Sequence, residues 1–287
     1  MHLLSINWNP SEVLLNLGPI QIRYYSLMFI IAFSLGYYIM KRIYTVEKIP
    51  LEYLDSLFMY TVIATLLGAR LGEVFFYNWG YYQEHLIEIL LPIKEDPNAS
   101  LFGFINGYKF TGFAGLASHG AAIGIITALY LYRRKYEYKT LLWILDKVVI
   151  PVSIGGVFVR LGNFFNSEIV GKFTDSNFGV VFQGRGDTLP RHPAQLYEAF
   201  CYIFVFAILW YVYWKTDKKE KHGYIFGLFL VLLWTVRFFV EFVKESQGGF
   251  EDKLGDVLST GQWLSIPFVI VGFYFMFRKT KNTASEA

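Results

Sequence analysis

The sequence predicts an all-α, polytopic membrane protein with seven transmembrane helices, its N-terminus outside the cell and its C-terminus in the cytoplasm. Of its 287 residues, 54% are hydrophobic and only 17% are charged, whereas soluble domains carry about a quarter charged residues. Long uncharged stretches alternate with short loops rich in lysine and arginine. We therefore expect residues 1–287 to form a single integral membrane domain.

The first 17 residues are expected to form an arm at the membrane surface. They contain the polar residues Asn7, Ser11 and Glu12, and they lack the basic start and small-residue cleavage site of a signal peptide. The first span is predicted at residues 24–40, which carry no charge and begin with two tyrosines. Tyrosine rings favour the interface between membrane and water, so this stretch indicates a membrane crossing.

Further apolar stretches have roughly the length that crosses a bilayer. Two long polar stretches, residues 78–109 and 163–191, interrupt them and are predicted to be loops on the outer side, since residues that favour turns are frequent in both. The remaining predicted spans are residues 54–77, 110–132, 141–160, 193–214, 223–243 and 258–277.

The short basic loops set the predicted orientation. Just over half of the 26 lysine and arginine residues follow the first, third, fifth and seventh spans. These loops all lie on one side of a seven-span chain, and basic loops remain in the cytoplasm. The two long polar loops are therefore predicted to lie outside.

Five ionisable residues on five predicted spans reach the outer half of the membrane. Arg237, for example, lies about 21 Å from the inner edge of a hydrocarbon core about 30 Å thick. Charges at this depth are costly unless they face a cavity or a partner, which favours a shared polar cavity. The five residues are Arg70, His119, Arg160, His192 and Arg237.

Structural alternatives exist for the same residues. Arg70 could pair with Glu73, and Arg237 with Glu241, along one helix face. His119 could serve only in helix packing. Inner-side Asp146 and Lys147 are expected to make structural polar contacts, and glycines four residues apart, such as Gly68 and Gly72, are expected to bring helices close together.

The predicted cavity favours a phosphate ligand. A guanidinium stays charged when desolvated and matches phosphate oxygens, so a phospholipid headgroup is the expected ligand. No spacing of histidines and carboxylates resembles a metal site, and no cofactor or metal is predicted. The formal net charge of +3 does not indicate binding of nucleic acid. Cys201 lies in the middle of an aromatic span and is expected to be an inert, small hydrophobic residue. An enzyme of this kind would therefore take its nucleophile from a second substrate.

Five segments together resemble the bacterial prolipoprotein diacylglyceryl transferase family, and they follow the family's order between about residues 18 and 277. The resemblance implies seven spans with the N-terminus outside, in agreement with the charge pattern, and a location in the bacterial plasma (inner) membrane with the active site toward the outer leaflet. The segments are residues 160–171 (RLGNFFNSEIVG), 68–78 (GARLGEVFFYN), 118–120 (SHG), 191–198 (RHPAQLYE) and 237–241 (RFFVE).

The resemblance implies transfer of a diacylglyceryl group from phosphatidylglycerol, a membrane lipid. The acceptor would be the lipobox cysteine thiol at the end of a prolipoprotein signal peptide, and the products a thioether and glycerol phosphate. Arg160 and Arg237 would neutralise the departing phosphate. His119 would be the general base that deprotonates the thiol, whose unperturbed pKa is about 8.5.

Other residues at family positions have implied roles around this centre. Glu241 would hold Arg237, and Arg70 would be a supporting residue. Tyr25, Asn163, Asn166, Glu168 and Gly171 would bind the substrate, and Arg191, His192 and Glu198 would support the cavity wall. The chain departs from the family at Ala121 and Ser167, where glycine is common, and both replacements are small.

Two other classes of protein remain open at this point. A seven-helix transporter could also hold an anionic ligand with arginines, although the sequence shows no repeated halves of the kind that transporters often have. A lipid-binding membrane protein without activity would explain the arginines but not His119. An assay for the thioether product distinguishes these classes from the transferase.

Overall fold

The computed structural model describes residues 6–17, 20–101, 103–112, 115–245 and 258–279, and these residues are mostly helical. The helices are α1 (Tyr24–Val46), α2 (Leu51–Phe76), α3 (Trp79–Tyr82), α4 (Ile87–Leu90), α5 (Ser118–Lys135), α6 (Leu141–Phe165), α7 (Ala194–Lys215), α8 (Tyr224–Val240) and α9 (Thr260–Phe277). The strands are β1 (Ile6–Trp8), β2 (Val13–Leu17), β3 (Ile20–Arg23), β4 (Ile93–Leu101), β5 (Ile105–Phe110) and β6 (Val180–Phe182).

Among the described residues, five helices are long and apolar enough to cross a membrane, namely α1, α2, α6, α7 and α9. Helix α8 is apolar but shorter. A helical, multi-pass membrane protein is therefore confirmed at this level. The first five residues of the predicted N-terminal arm lie outside the described residues, and strands β1 and β2 occupy much of the rest.

The structure differs most from the predicted pattern at the third span and in the polar stretch 78–109. The third span was predicted from residue 110, but α5 begins at Ser118, and the preceding Gly112 and Gly115 have φ of +68° and +76°. These left-handed conformations are incompatible with a continuous right-handed helix. The polar stretch 78–109 is also not a simple loop, because α3, α4, β4 and β5 lie within it.

The chain divides into two compact units. One comprises Met1–Leu14, Ile22–Met40 and Leu142–Ala287, and the other comprises Leu15–Gln21 and Lys41–Leu141. Within the first, β1 pairs in parallel with β6, so that Trp8 lies opposite Phe182. Within the second, β4 and β5 form an antiparallel pair with a register shift between Glu95 and Ser100.

Buried polar residues anchor α8 in the first unit. The carboxylate of Asp146 on α6 accepts hydrogen bonds from the backbone N–H groups of Gly223 (2.6 Å) and Phe226 (2.8 Å). The first N–H groups of a helix lack partners inside the helix, and Asp146 supplies them for α8. The ammonium of Lys147 lies 4.6 Å from the centroid of the Tyr213 ring. The structural role expected for Asp146 and Lys147 is confirmed.

Glycines allow close helix packing in both units. In the second, a Cβ on Gly72 of α2 would lie 2.6 Å from the Cα of Gly120 on α5. In the first, a Cβ on Gly272 of α9 would lie 2.7 Å from the carbonyl oxygen of Gly227 on α8. Side chains at these positions would separate the helices, which confirms the packing predicted from glycine spacing.

Candidate active site

The end of α6 forms a tight polar turn. Asn163 donates from Nδ2 to Oε1 of Glu168 (2.6 Å), and the backbone N–H of Glu168 donates to the carbonyl of Asn163 (3.0 Å). Ser167 and Ile169 have φ of +52° and +57°. These left-handed conformations turn the chain back beside the helix, and both are uncommon for residues that carry a Cβ.

Arg160 lies one turn before this end of α6. Its Nη1 donates to Oδ1 of Asn163 (3.2 Å), and its Nε forms an ion pair with Oε2 of Glu198 on α7. The Glu198 side chain is only 1% exposed. A buried carboxylate needs such a partner, because an isolated charge away from water is costly.

Two further residues complete this side of the site. Gly162 lies against the ring of Tyr25 on α1, since a Cβ on Gly162 would be 2.6 Å from Cδ2 of that ring. Gln195 on α7 donates from Nε2 to the carbonyl of Glu168 (2.6 Å). The structure thus brings together five predicted site residues from three helices and from the turn after α6, namely Tyr25, Arg160, Asn163, Glu168 and Glu198.

Arg237 on α8 has fewer polar contacts. Its guanidinium lies 5.3 Å from the centroid of the Trp234 ring, and its buried Nε has no hydrogen-bond partner. The expected pair between Arg237 and Glu241 does not form. Within the described part of the chain, Glu241 instead pairs with Lys244, with 3.4 Å between Oε2 and Nζ. Glu241 keeps helical backbone geometry as the residue that ends α8, but its carboxylate lies against Gly261 of α9, where a Cβ would clash with it.

Lys244 is a site residue that the sequence analysis missed. It is 4% exposed and interacts electrostatically with Glu198, Glu241, Arg237 and Arg160. Burial lowers the pKa of Lys244; the two carboxylates oppose this shift, and the two arginines add to it. Its position three residues after Glu241, at the end of an apolar span, was the available signal.

Together these residues form an arginine cluster, which we define as Arg160, Arg237, Lys244, Glu198 and Glu241. With both arginines and the lysine charged, its cations exceed its carboxylates by one. The phenol of Tyr202 lies near both arginines. A buried cluster with excess positive charge suits an anionic ligand.

Two buried acceptors lie beside the same turn and helix. Asn166 Oδ1 and Gln195 Oε1 accept no hydrogen bond from the described residues. Asn166 directly follows α6, and Gln195 lies one turn before Glu198 on α7. Buried acceptors of this kind usually have a partner, and at a functional site they are available to a ligand with donor groups.

Gly171 and Arg191 organise the loop between α6 and α7. A Cβ on Gly171 would lie 2.6 Å from Cβ of His192 and 2.7 Å from the carbonyl oxygen of Val243. Arg191 pairs with Asp187 (2.8 Å) and Glu245 (2.9 Å) and donates to the carbonyl of Gly171 (3.3 Å). Burial lowers the pKa of Arg191, but Asp187 and Glu245 outweigh it and raise the pKa above its ordinary value.

His192 contributes a polar contact at the start of α7. Its Nδ1 lies 3.2 Å from the hydroxyl of Tyr197. Within the loop between α6 and α7, the N–H of Gly171 donates to the carbonyl of His192 (2.8 Å), and the N–H of Lys172 joins this loop to the segment after α8 by donating to the carbonyl of Val243 (2.8 Å).

Arg70 and His119 belong to the second unit. Arg70 donates from Nε to the carbonyl of Ile89 (3.0 Å) and from Nη2 to that of Glu88, so it anchors α4. Glu73, the alternative partner of Arg70, accepts a hydrogen bond from Nδ2 of Asn78 (2.7 Å). His119 is the second residue of α5 and is exposed. Its meeting with the arginine cluster stays a prediction.

Comparison with known proteins gives one consistent answer. The family model for prolipoprotein diacylglyceryl transferase matches residues 12–278. Proteins named phosphatidylglycerol--prolipoprotein diacylglyceryl transferase are similar over nearly the whole chain. That of Bacteroides fragilis is 46% identical, covering 96% of this chain and 95% of its own. That of Tolumonas auensis is 43% identical (96% and 98%), and that of Chloroherpeton thalassium 39% (98% and 97%).

Proposed function

The chain belongs to the prolipoprotein diacylglyceryl transferase family and is a transferase, and from this premise we propose the following reaction. A lipobox cysteine thiolate of a prolipoprotein attacks phosphatidylglycerol at the carbon of its diacylglycerol unit that bears the phosphate. The carbon–sulfur bond of a thioether forms, the carbon–oxygen bond breaks, and glycerol phosphate leaves with the electron pair. The proton of the thiol passes to a base of the enzyme.

The arginine cluster is the observation that carries this proposal. Arg160 is fixed by Glu198 and Asn163, whereas Arg237 has no carboxylate partner in the described part of the chain. A preorganised guanidinium in a site that excludes water stabilises negative charge more than it does in water. Arg160 and Arg237 would therefore bind the phosphate and stabilise the departing glycerol phosphate.

The unfilled acceptors Asn166 Oδ1 and Gln195 Oε1 support a headgroup that carries hydroxyl groups. The glycerol headgroup of phosphatidylglycerol offers two such donors beside its phosphate, whereas a choline headgroup offers none. Accepting these hydrogen bonds would satisfy groups that are otherwise costly to bury. We therefore assign to these acceptors the preference for a glycerol headgroup.

His119 is the proposed general base. The thiol, with an unperturbed pKa of about 8.5, must lose its proton to become a nucleophile, and imidazole titrates in a suitable range. Its place at the start of α5, on the side of the chain that the charge pattern assigns to the outside, is consistent with this role.

We place the active site toward the outer leaflet of the bacterial inner membrane, in a chain with seven spans. Helices α5 and α8 would be the two spans beyond the five that are long and apolar enough. The basic loops after α1, α5, α7 and α9 support an external N-terminus and a cytoplasmic C-terminus. The acceptor peptide would then arrive from the outer side with its lipobox cysteine near the membrane surface.

A single assay tests the proposal. The purified protein is incubated with phosphatidylglycerol labelled in its acyl chains and with a lipobox peptide, and the thioether product is measured by mass spectrometry. We expect product with this peptide and none with the same peptide carrying serine in place of cysteine. Binding of labelled lipid without product would indicate a lipid-binding protein instead. Movement of lipid across vesicles without product would indicate a transporter.

A further inference from the structure

A histidine and two glutamates lie together in the second unit, on the polar stretch between α2 and α5. One ligand atom from each of His85, Glu88 and Glu95 lies within 4.8 Å of the others. Nε2 of His85 and Oε2 of Glu95 are 3.5 Å apart. These residues have no part in the proposed transfer reaction.

The hydrogen bonds of His85 leave Nε2 available as a ligand. Nδ1 of His85 lies 3.0 Å from the carbonyl oxygen of Tyr81, which can only accept, so Nδ1 carries a proton. In neutral imidazole Nε2 then has a lone pair, and it faces a carboxylate oxygen of Glu95. Two acceptors facing each other are unfavourable unless a proton or a metal ion lies between them. A backbone carbonyl that orients the other ring nitrogen is also the usual partner of a metal-bound histidine.

The two carboxylates are placed in different ways. Glu88 is 4% exposed and is held by hydrogen bonds from the hydroxyl of Tyr81 (2.8 Å) and the backbone N–H of Glu95 (2.7 Å). Glu95 lies on β4, and its side chain is 58% exposed. The buried carboxylate is thus oriented in advance, and the exposed one is free to adjust to a ligand.

We propose that His85, Glu88 and Glu95 bind a divalent metal ion of the zinc type. Ligands at bond lengths of 2.0–2.2 Å around a tetrahedral ion lie about 3.3 Å apart, close to the 3.5 Å between Nε2 of His85 and Oε2 of Glu95. One nitrogen and two carboxylate oxygens would leave the fourth position to water. The imidazole favours zinc over calcium and magnesium, which prefer oxygen ligands alone.

The metal would join α4 and the turn that precedes it to β4. The spacing in the sequence did not indicate this site, because His85 and Glu88 lie close together whereas Glu95 is reached only after the chain turns into a strand. A bound ion would fix the conformation of the residues between His85 and Glu95 and so stabilise the polar stretch between α2 and α5. The role is structural and independent of the transfer reaction.

The test uses the full chain, purified without a polyhistidine tag and stripped of metal with a chelator. Zinc binding is measured by isothermal titration calorimetry, with magnesium and calcium as comparison ions. We expect about one zinc ion per chain, much weaker binding of the other two ions, and a rise in melting temperature with zinc. Absence of zinc binding would overturn the proposal and leave an ion pair between protonated His85 and Glu95.

Variants locate the site. His85→Gln and Glu95→Gln should each weaken zinc binding at least tenfold, because loss of an outer-shell partner alone already costs about 10- to 100-fold. Glu84→Gln removes the same charge from an exposed neighbouring position and should leave binding unchanged. His222→Gln, on the predicted cytoplasmic side, should also have no effect. Equal binding by the wild type and both ligand variants would show that zinc binds elsewhere and refute the site.

Discussion

Arg160 and Arg237 lie in one cluster but have different neighbours. Arg160 is held by Glu198 and Asn163, whereas Arg237 contacts the Trp234 ring and has no ion-pair partner in the described part of the chain. Breaking a buried ion pair leaves an unpaired charge, while removing an unpaired arginine does not. The two residues therefore allow catalytic and structural effects to be separated.

For the first prediction, Arg237→Gln and Arg160→Gln should each reduce transfer to a lipobox peptide by roughly 100- to 1000-fold, because each removes charge that faces the phosphate. Arg160→Gln should also lower the free energy of unfolding by roughly 3 kcal/mol, because Glu198 loses its partner. The double change Arg160→Gln with Glu198→Gln should regain stability but not activity. Activity above one tenth of wild type in Arg237→Gln would contradict the phosphate role.

The second prediction concerns His119. His119→Gln should slow transfer at neutral pH and recover much of the rate at pH 9, because the substrate thiol then ionises without a base. The measurement is the pH profile of kcat/KM for wild type and variant. A variant profile with the shape of the wild-type profile would show that His119 is not the base.

The third prediction concerns the pH dependence of stability due to Lys244. Its pKa is lowered in the folded state, so over the range between this value and the ordinary 10.5 the unfolded state binds more protons. Stability from this group must therefore rise as pH rises through that range. Lys244→Met should remove this part of the rise in Tm, whereas exposed Lys215→Met should not. Identical Tm profiles for wild type and Lys244→Met would contradict it.

At the scale of elements, the turn after α6 and the segment after α8 depend on each other. The backbone N–H of Lys172 donates to the carbonyl of Val243 (2.8 Å), and the backbone N–H of Glu245 donates to the carbonyl of Val170 (3.1 Å). Gly171 lies between His192 and Val243 with no room for a side chain. These two hydrogen bonds bring Lys244 into the arginine cluster, because Lys244 lies between Val243 and Glu245, which form them.

The fourth prediction is that Gly171→Ala lowers stability by about 1–3 kcal/mol and also reduces transfer, because the added Cβ must displace backbone atoms. Gly184→Ala is the matched control, since its Cβ would lie 3.8 Å from the nearest atom, Oδ1 of Asn9. The measurements are Tm and kcat/KM. A Gly171→Ala protein as stable and active as Gly184→Ala would contradict the packing role.

At the scale of the whole molecule, the sequence predicted the long apolar helices, the packing glycines and the polar residues at the end of α6. These follow from composition and periodicity, which are local properties. It did not predict that Glu241 pairs with Lys244, nor that Arg70 binds the carbonyls of α4. These contacts depend on where a helix ends and how the chain turns, and spacing along an ideal helix does not contain that information.

The fifth prediction concerns topology. In a protein whose Cys201 is replaced by alanine, a single cysteine at Asn98 should react with a membrane-impermeant maleimide in intact cells. A single cysteine at Lys219 should react only after the membrane is permeabilised. Labelling of Lys219→Cys in intact cells would contradict the proposed orientation.

Asp146 lies away from the two arginines, yet its hydrogen bonds tie together the two helices that carry them. It lies on α6, the helix that carries Arg160, and it binds the N-terminal N–H groups of α8, the helix that carries Arg237. The axial register of the two helices is therefore set at the end of α8 opposite Arg237. Loss of the Asp146 carboxylate should then let α6 and α8 shift along each other, so the spacing of the two guanidinium groups around a bound phosphate would change.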